Sequence, residues 1–514
     1  MSTKSLQGTD EKPAVCEEAV DVNNNSVPER GSTEREVAER RLVRILDWRL
    51  MPAIFVIFIM NYIDRNGITT ARLQGMEEDL GLSDIQYDTV IAVLYATYCP
   101  CQIPSNMYFI SHISSTLFNR PSKYIGGCVV AWGLFSALTG VTKNFGGILV
   151  CRVLLGIPEA AFYCGAMYFL SRWYTRKELA FRSAILYSGL LISNAFGALI
   201  AAGILANMNG VRGIRAWRWL FYIEGSITMT IGFMAMMVLP DYPSNTSWLS
   251  PNDRRLAQAR LAEDAGEVDE DTATDSPTKG LIMALRDPRV IILAIMDMSQ
   301  LLGLSYINFF PTLTETLGYS TIVTLLLQAP PWILSAIVCC VNAWNADRTG
   351  ERFFHMTSWW WVCMVGYIIA LCTMSVAGRY VSLFLMAVGY TGFALTLVWT
   401  ANAIHRPPAK RAAAMGIVNG CGNIGNLIGS YTWKSVWGPS YHKSMVISLS
   451  AFALSSILSL TVRQMLVRDN KRLEENEKAE MTEMERMRVQ EVARLEGISF
   501  EQAMKQRKGF RFLY

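Results

Sequence analysis

The chain has 514 residues, of which 51% are hydrophobic, and its mean hydropathy is +0.24. Charged residues make up only 18% and cluster between long apolar runs, whereas a soluble chain of this length divides into domains with charges throughout. The small net charge of +4, without a basic run, argues against a nucleic-acid partner. No nucleotide-binding loop, nucleophile triad or zinc-type spacing occurs, so the sequence predicts neither an enzyme nor a cofactor. These features favour a membrane protein.

Twelve apolar runs are long enough to cross a bilayer, whose ~30 Å hydrocarbon core takes roughly 20 helical residues. A polar stretch after the sixth run divides them into two groups of six, as in transporters built from parallel repeats. The predicted spans 1 to 12 are 48–68, 86–110, 123–142, 146–170, 182–206, 217–239, 289–311, 322–344, 355–377, 380–402, 411–437 and 443–466.

The chain is therefore predicted to be an all-α membrane protein with two pseudo-symmetric six-helix bundles. The predicted segments are a disordered tail 1–44, a bundle 45–239, a central loop 240–288, a second bundle 289–466 and a charged tail 467–514.

Lys and Arg between the spans indicate the orientation, because cytosolic loops of membrane proteins are enriched in these cations. They are concentrated before span 1 and after spans 2, 4, 8 and 10, which places both tails and the central loop in the cytosol. Arg212, Arg215 and Arg218, before span 6, are an exception on the other side.

Ionisable residues inside spans are costly and mark ion or substrate pathways by default. The first half has Asp64 and Arg65 in span 1, and Arg152 and Glu159 in span 4. An arginine stays charged, whereas a carboxyl in a cavity of low dielectric readily accepts a proton. These four residues indicate a proton-coupled anion site in which arginine attracts a substrate carboxylate. The alternative is structural: Asp64 with Arg152, or Arg65 with Glu159, would be salt bridges between spans 1 and 4.

Other polar residues in the spans give weaker signals. Glu224 in span 6 is predicted to have a structural role near the outer interface. Asp297 in span 7 has no evident partner; it is either a polar contact contributed by the second half or a residue that faces water. Asn419 and Asn423, one turn apart in span 11, could face the cavity, since buried amides need partners. The glycine spacing 425–429 in the same span favours close helix packing.

Several stretches together resemble the anion:cation symporter family of the major facilitator superfamily, and within it the fungal allantoate permease branch, which includes nicotinate, pantothenate and biotin carriers. The stretches that carry the resemblance are Asn61-Tyr62-Ile63-Asp64-Arg65, Arg152-Val153-Leu154-Leu155-Gly156, Trp217-Arg218-Trp219, Leu317-Gly318-Tyr319-Ser320, Gly422-Asn423-Ile424-Gly425-Asn426, Tyr441-His442-Lys443 and Phe510-Arg511-Phe512. The resemblance covers roughly 42–475 and the last few residues. It is specific for the family and not for a substrate.

The resemblance implies roles for individual residues. Asp64 and Glu159 fall where related sugar-acid symporters take up protons, and Arg152 falls where an arginine partners these carboxyls. Arg65 falls where the substrate carboxylate binds, and Tyr62 and Asn423 fall on substrate contacts from the two halves.

The resemblance also implies a gate on the cytosolic side. The superfamily's loop motif between spans 8 and 9 appears as Asp347, Arg348, Gly350 and Arg352, which are expected to latch helices there. Its counterpart between spans 2 and 3, around 108–117, is degenerate and longer than the family pattern.

The expected function is a monomeric plasma-membrane symporter that imports a small organic anion with protons by alternating access. Two alternatives stay open: an uncoupled facilitator of the same fold, and a nutrient sensor with vestigial transport, for which the charged C-terminal tail is the one supporting feature. An enzyme is the least favoured interpretation.

Overall fold

The computed structural model describes residues 32–111, 121–171, 173–241, 246, 248–269, 277–404, 408–479 and 490. These residues form helices and turns, and no strand occurs among them. A helix lies at each of the twelve predicted spans, so the predicted order of spans is confirmed. These helices are α1 (Met51–Leu73), α2 (Asp84–Ser111), α3 (Pro121–Thr139), α4 (Phe145–Ser171), α5 (Arg176–Met208), α6 (Ala216–Val238), α7 (Pro288–Glu315), α8 (Thr321–Thr349), α9 (Phe353–Cys372), α10 (Val376–Ala403), α11 (Pro408–Gly429) and α12 (His442–Ala479).

Within the described residues, seven helices (α5 to α10 and α12) are long and apolar enough to cross a membrane by length and composition. We call the end of the bundle where α1 begins and α12 ends the terminal face, and the other end the opposite face.

The helix pairings show that the two halves repeat one another. In the first half, α1 packs on α5 and α6, α3 packs on α4 and α6, and α2 packs on α4. In the second half, α7 packs on α11 and α12, α9 packs on α10 and α12, and α8 packs on α10. Each pairing recurs six helices further on. The two halves contact each other along two helix pairs, α5 with α8 and α2 with α11. These two pairs are also equivalent, because α11 corresponds to α5 and α8 corresponds to α2 in the repeat.

Glycines allow the closest of these contacts. A Cβ on Gly225 of α6 would lie 2.6 Å from the carbonyl oxygen of Gly133 on α3. A Cβ on Gly425 of α11 would lie 2.1 Å from the carbonyl oxygen of Met298 on α7. A larger side chain would push the backbones apart, because a carbonyl cannot rotate away as a side chain can. The close packing predicted from the 425–429 spacing is thus confirmed.

Two helices change geometry in mid-span. In α7 a 3₁₀ segment, Leu304–Phe309, separates Pro288–Gly303 from Phe310–Glu315. In α10 a 3₁₀ turn, Tyr390–Gly392, separates Val376–Gly389 from Phe393–Ala403. Such segments within helices often occur at functional positions. Here they bring Ile307, Asn308 and Tyr390 to the space between the halves.

The terminal face has more structure than the sequence predicts. A helix, Thr33–Arg49, begins inside the segment expected to be a disordered tail. Ser32 caps it by accepting from the Arg35 N–H at 3.2 Å, and Leu46 is fully buried beneath it. The helix is fixed to α5 because the Arg182 guanidinium donates two hydrogen bonds of 2.7 Å to the carboxylate of Asp47.

The central loop also contains helices, Pro251–Asp269 and Pro277–Arg286. Arg260, on the first of these, donates to Glu178 of α5 at 3.0 and 3.1 Å. Lys410 of α11 donates to Asp287, which lies just before α7, at 2.6 Å. Burial alone would raise the pKa of Asp287, but the hydrogen bonds from Lys410 and Arg289 outweigh it and hold this pKa below its usual range.

Ion pairs at the opposite face account for the arginines that depart from the distribution of Lys and Arg between the spans. Asp79, in the acidic loop after α1, lies 3.2 Å from Arg215 and 3.0 Å from Arg218 at the start of α6. The Trp217 indole N–H also donates to Asp79, at 3.1 Å. Two of the three exceptional arginines are therefore paired with a carboxylate in the fold.

Candidate functional site

A small cavity of about 40 Å³ lies between the two halves. Four residues predicted as substrate contacts, Tyr62, Arg65, Asn419 and Asn423, line it together. The first half contributes Tyr62, Arg65, Asn66, Tyr95, Tyr98 and Tyr187, and the second half contributes Leu301, Ile307, Asn308, Tyr390, Phe393, Asn419, Asn423 and Asn426. The lining thus combines one cation with amides and phenol groups, a set suited to a polar, negatively charged molecule.

Arg65 is the charged residue of this lining. Its Nε donates to Glu159 Oε1 at 2.6 Å, which forms an ion pair between α1 and α4. Its guanidinium lies over the rings of Tyr98, Tyr62 and Tyr95, at 4.7, 5.0 and 6.0 Å from their centroids. Neither Nη atom donates a hydrogen bond to another described residue. Among the described residues, the two terminal nitrogens are therefore not engaged while Glu159 holds Nε.

Asp64 points away from the cavity, into the first half. It is 1% exposed. The Ser136 hydroxyl of α3 donates to Oδ1 at 2.8 Å, and the Thr228 hydroxyl of α6 donates to Oδ2 at 2.6 Å. These partners are neutral, so no cation compensates a negative charge on Asp64 through direct contact. Two hydroxyl partners suit either protonation state, because a hydroxyl can donate or accept.

Arg152 contacts the same region from α4. It is 2% exposed, and its Nη1 donates to the main-chain oxygen of Arg65 at 3.1 Å. Its Nε and Nη2 have no hydrogen-bond partner among the described residues, and within the same residues no carboxylate lies in ion-pair range of it. Of the two salt bridges considered above, Arg65 with Glu159 forms, and Asp64 with Arg152 does not, since Asp64 binds the hydroxyls of α3 and α6.

The second half contributes a row of amides along α11. Asn423 donates to the main-chain oxygen of Asn419 at 2.9 Å, and Asn426 donates to Asn423 Oδ1 at 3.4 Å. Across the cavity, Tyr95 of α2 and Asn308 of α7 lie within hydrogen-bond range at 3.5 Å. The amides thus lie opposite Arg65, in position to contact the polar remainder of a bound anion.

Apart from Tyr62, sequence reasoning missed the aromatic part of the lining. Tyr95 and Tyr98 are three residues apart in an otherwise apolar run of α2, and this spacing places them on one face of a helix. Tyrosines with this spacing inside a span were the available signal. Tyr390 lines the cavity because the α10 helix breaks there, and no sequence pattern indicates that break.

Glu224, predicted to have a structural role, is buried in the first half. It is 1% exposed, and its Oε2 has no hydrogen-bond partner among the described residues. A Cβ on Gly67 of α1 would lie 2.9 Å from this oxygen, so the glycine makes room for the carboxyl. Glu224 lines a second cavity of about 20 Å³ together with Asn66, Asn194 and Gln328. Its carboxyl is therefore enclosed by the bundle.

The predicted gate motif is described in part. The Asp347 side chain lies outside the described set. Arg348 is exposed, with its guanidinium 5.6 Å from the ring centroid of Trp344. Gly350 ends α8 with φ of 68°, a left-handed conformation that favours glycine. Arg352 is buried at the start of α9. The degenerate counterpart around 108–117 lies largely outside the described residues.

Among the described residues, no group of three or more His, Cys, Asp or Glu side chains could hold a metal ion.

The fold and the buried charged cavity define a class, the multi-pass membrane transporters. Residues 54–430 match the Major Facilitator Superfamily, and the chain belongs to this family. The chain is similar to the MFS-type transporter cnsO of Penicillium expansum, with 32% identity over 85% of each chain. It is also similar to a putative tartrate transporter of Agrobacterium vitis, with 27% identity over 82% of this chain and 91% of the other. Its fold matches a bacterial homologue of the human lysosomal transporter Spinster, with a TM-score of 0.62, 15% identity and coverage of 82% and 97%.

Proposed function

We propose that the protein is a proton-coupled symporter that imports a small organic anion by alternating access between its two halves. The observation that carries this proposal is the Arg65–Glu159 pair at the wall of the cavity. Arginine recognises carboxylates best through two parallel hydrogen bonds. Arg65 lines the cavity and its Nε is held by Glu159, which leaves the two Nη atoms to bind a substrate carboxylate.

Charge balance links this binding to protons. When both are ionised, the carboxylates of Asp64 and Glu159 balance Arg65 and Arg152, so a bound monoanion would add one uncompensated negative charge beside largely buried side chains. An isolated charge in such a site is strongly unfavourable. One proton on Glu159 restores neutrality and leaves the arginine to the substrate. Asp64, to which the hydroxyls of Ser136 and Thr228 donate, is the second candidate for this proton, and Arg152 would keep both carboxyls within a positive field.

The substrate class is proposed from the site and the resemblance together. A lining of one arginine with amides and phenols fits a carboxylate with a polar body, such as a carboxylate vitamin or a ureide. The similarity to a putative tartrate transporter agrees with an organic acid. We assign the chain to the allantoate permease branch, as a monomer of the plasma membrane with both termini cytosolic.

The test is uptake in cells that lack the endogenous carriers. Labelled nicotinate, pantothenate, biotin and allantoate are offered, with other organic acids as competitors. Uptake of at least one acid should rise as external pH falls and collapse when a protonophore is added. Uptake that ignores both treatments would identify an uncoupled facilitator. If no acid enters while the intact protein is present at the cell surface, transport of this class is refuted.

A further inference from the structure

Asp297 is a buried carboxyl in the second half that the proposed mechanism does not use. It lies on α7 and is 0% exposed, and neither carboxyl oxygen has a hydrogen-bond partner among the described residues. It differs in this respect from Asp64, which has two hydroxyl donors, and from Glu159, which has Arg65.

The packing around Asp297 is tight and uncharged. A Cβ on Gly422 of α11 would lie 1.9 Å from Oδ2, so glycine is the residue that fits opposite this carboxyl. The titratable groups that interact with it electrostatically are Tyr390 of α10 and Cys421 of α11. Both are neutral near pH 7. α12 contacts this part of α7 through the Ser455 hydroxyl, which donates to the Met296 carbonyl at 3.1 Å. No described Lys, Arg or His forms an ion pair with Asp297.

A carboxylate without donors or a counter-ion is strongly disfavoured in such surroundings. The carboxyl therefore holds a proton in the conformation described here. A donor for the ionised form lies nearby, because Gln300 is three residues further along the same face of α7. Its Oε1 accepts from Thr396 at 2.9 Å, and its Nε2 has no partner among the described residues.

Asp297 lies behind residues that line the cavity at Arg65. Leu301, one helical turn from Asp297, lines that cavity, as does its electrostatic neighbour Tyr390. A negative charge behind these two residues would repel an anion bound at Arg65. Anion binding therefore favours protonation of Asp297, and protonation of Asp297 favours anion binding. The 3₁₀ segment that begins at Leu304 gives α7 a place to change its geometry between states.

We infer that Asp297 is a second proton-binding site, in the second half, which is protonated while the cavity holds the anion and releases its proton when the empty carrier rearranges. This inference rests on the proposed symport. Together with one proton at the Arg65–Glu159 site, it gives two protons per anion, so import of a monoanion moves one net positive charge inward.

The first measurement needs no substrate. Infrared spectra of the purified full-length protein are recorded across a pH series for wild type and Asp297→Asn. Subtracting the variant spectrum from that of the wild type should leave a protonated-carboxyl C=O band near neutral pH that disappears at alkaline pH, because the other buried carboxyls contribute to both spectra. Identical bands in both proteins, or a band that persists at every pH at which the protein stays folded, would overturn the inference.

The second measurement counts protons in proteoliposomes with the membrane potential clamped at zero, using the acid with the greatest uptake in the screen above. A pH difference of one unit should support about hundredfold accumulation by the wild type and about tenfold by Asp297→Asn. Asp469→Asn is the matched control. Asp469 pairs with Arg289 at 3.1 Å outside the cavity, so this variant should keep the wild-type ratio.

The outcomes separate the two proposals. An unchanged ratio in a folded Asp297→Asn protein overturns the second site and leaves symport intact. A wild-type ratio that does not depend on the pH difference refutes symport itself, and the infrared series then still decides whether Asp297 binds an exchangeable proton.

Discussion

Glu159→Gln is the substitution that best separates a proton site from a structural ion pair. The Glu159 carboxylate is 1% exposed and accepts from Arg65 Nε at 2.6 Å. Glutamine keeps the shape of the side chain and an oxygen for Nε, but it is permanently neutral, as a protonated acid is. The variant should therefore bind the anion, and it should lack the step in which a proton leaves the empty carrier.

The structure sets the size of the stability effect. Removing one partner of a fully buried ion pair costs about 3–5 kcal/mol. The cost here should be smaller, because the amide oxygen still accepts from Arg65 and one charge-assisted hydrogen bond becomes a neutral one, a loss of about 1–2 kcal/mol. The three tyrosine rings within 6.0 Å of the guanidinium also remain. The melting temperature should therefore fall by a few degrees at most.

The assay compares counterflow with concentrative uptake in proteoliposomes, using the acid chosen by the screen. Glu159→Gln should retain counterflow and lose accumulation against a gradient. Glu178→Gln is the matched control, since Glu178 also pairs with an arginine, Arg260, but at the terminal face; it should retain both activities. If Glu159→Gln melts far below the wild type and shows no counterflow, the pair is structural and the coupling argument is wrong.

Three further predictions concern binding and packing. Arg65→Ala should weaken anion binding at least about tenfold in equilibrium titrations, because a charge-assisted hydrogen bond contributes about 1.5–3 kcal/mol. Arg65→Lys should recover only part of the lost affinity, since lysine lacks the planar fork. Unchanged binding by a folded Arg65→Ala protein would show that the anion binds elsewhere. Glu224→Gln should leave the melting temperature within about 2 °C of wild type, because its carboxyl makes no ion pair with a described residue, and a larger fall would reveal a structural role. Gly425→Ala should destabilise the protein by about 1–3 kcal/mol, because its Cβ would meet the Met298 carbonyl at 2.1 Å, whereas Gly420→Ala, with nothing within 4 Å, should be neutral in the same thermal melt.

The sequence predicts the order of the spans and the charged residues inside them well, for physical reasons. A span must be apolar over its whole length, and a charge within it is too costly to occur by chance. Asp64, Arg65, Arg152 and Glu159 therefore stand out in the sequence, and the structure places all four close to one another in the first half.

The partners of these charges could not be predicted, because they depend on the rotation of each helix about its axis. Asp64 could have faced Arg152, but it faces the hydroxyls of Ser136 and Thr228 on two other helices. Neither serine nor threonine is unusual in an apolar span, so neither signals a site. The burial of Glu224 depends in the same way on a glycine of the facing helix.

The N-terminal helix was missed for a different reason. The residues 33–49 are mostly polar, and composition alone indicates a tail. The helix forms because a few apolar side chains, among them Leu42 and Leu46, are buried against the bundle. Tertiary packing of this kind overrides local composition.

The hydrogen bonds between the two halves have a consequence for the energy of rearrangement. Among the described residues, three side-chain hydrogen bonds of 3.3 to 3.5 Å join the halves: Arg72 with Ser435, Thr89 with Tyr431, and Tyr95 with Asn308. The first two pairs lie toward the opposite face. Bonds of this length contribute at most about 0.5–1.5 kcal/mol each. Breaking all three therefore costs less than the roughly 8 kcal/mol with which a micromolar ligand binds. These hydrogen bonds alone therefore cannot hold the halves in one arrangement against the binding free energy of such a ligand.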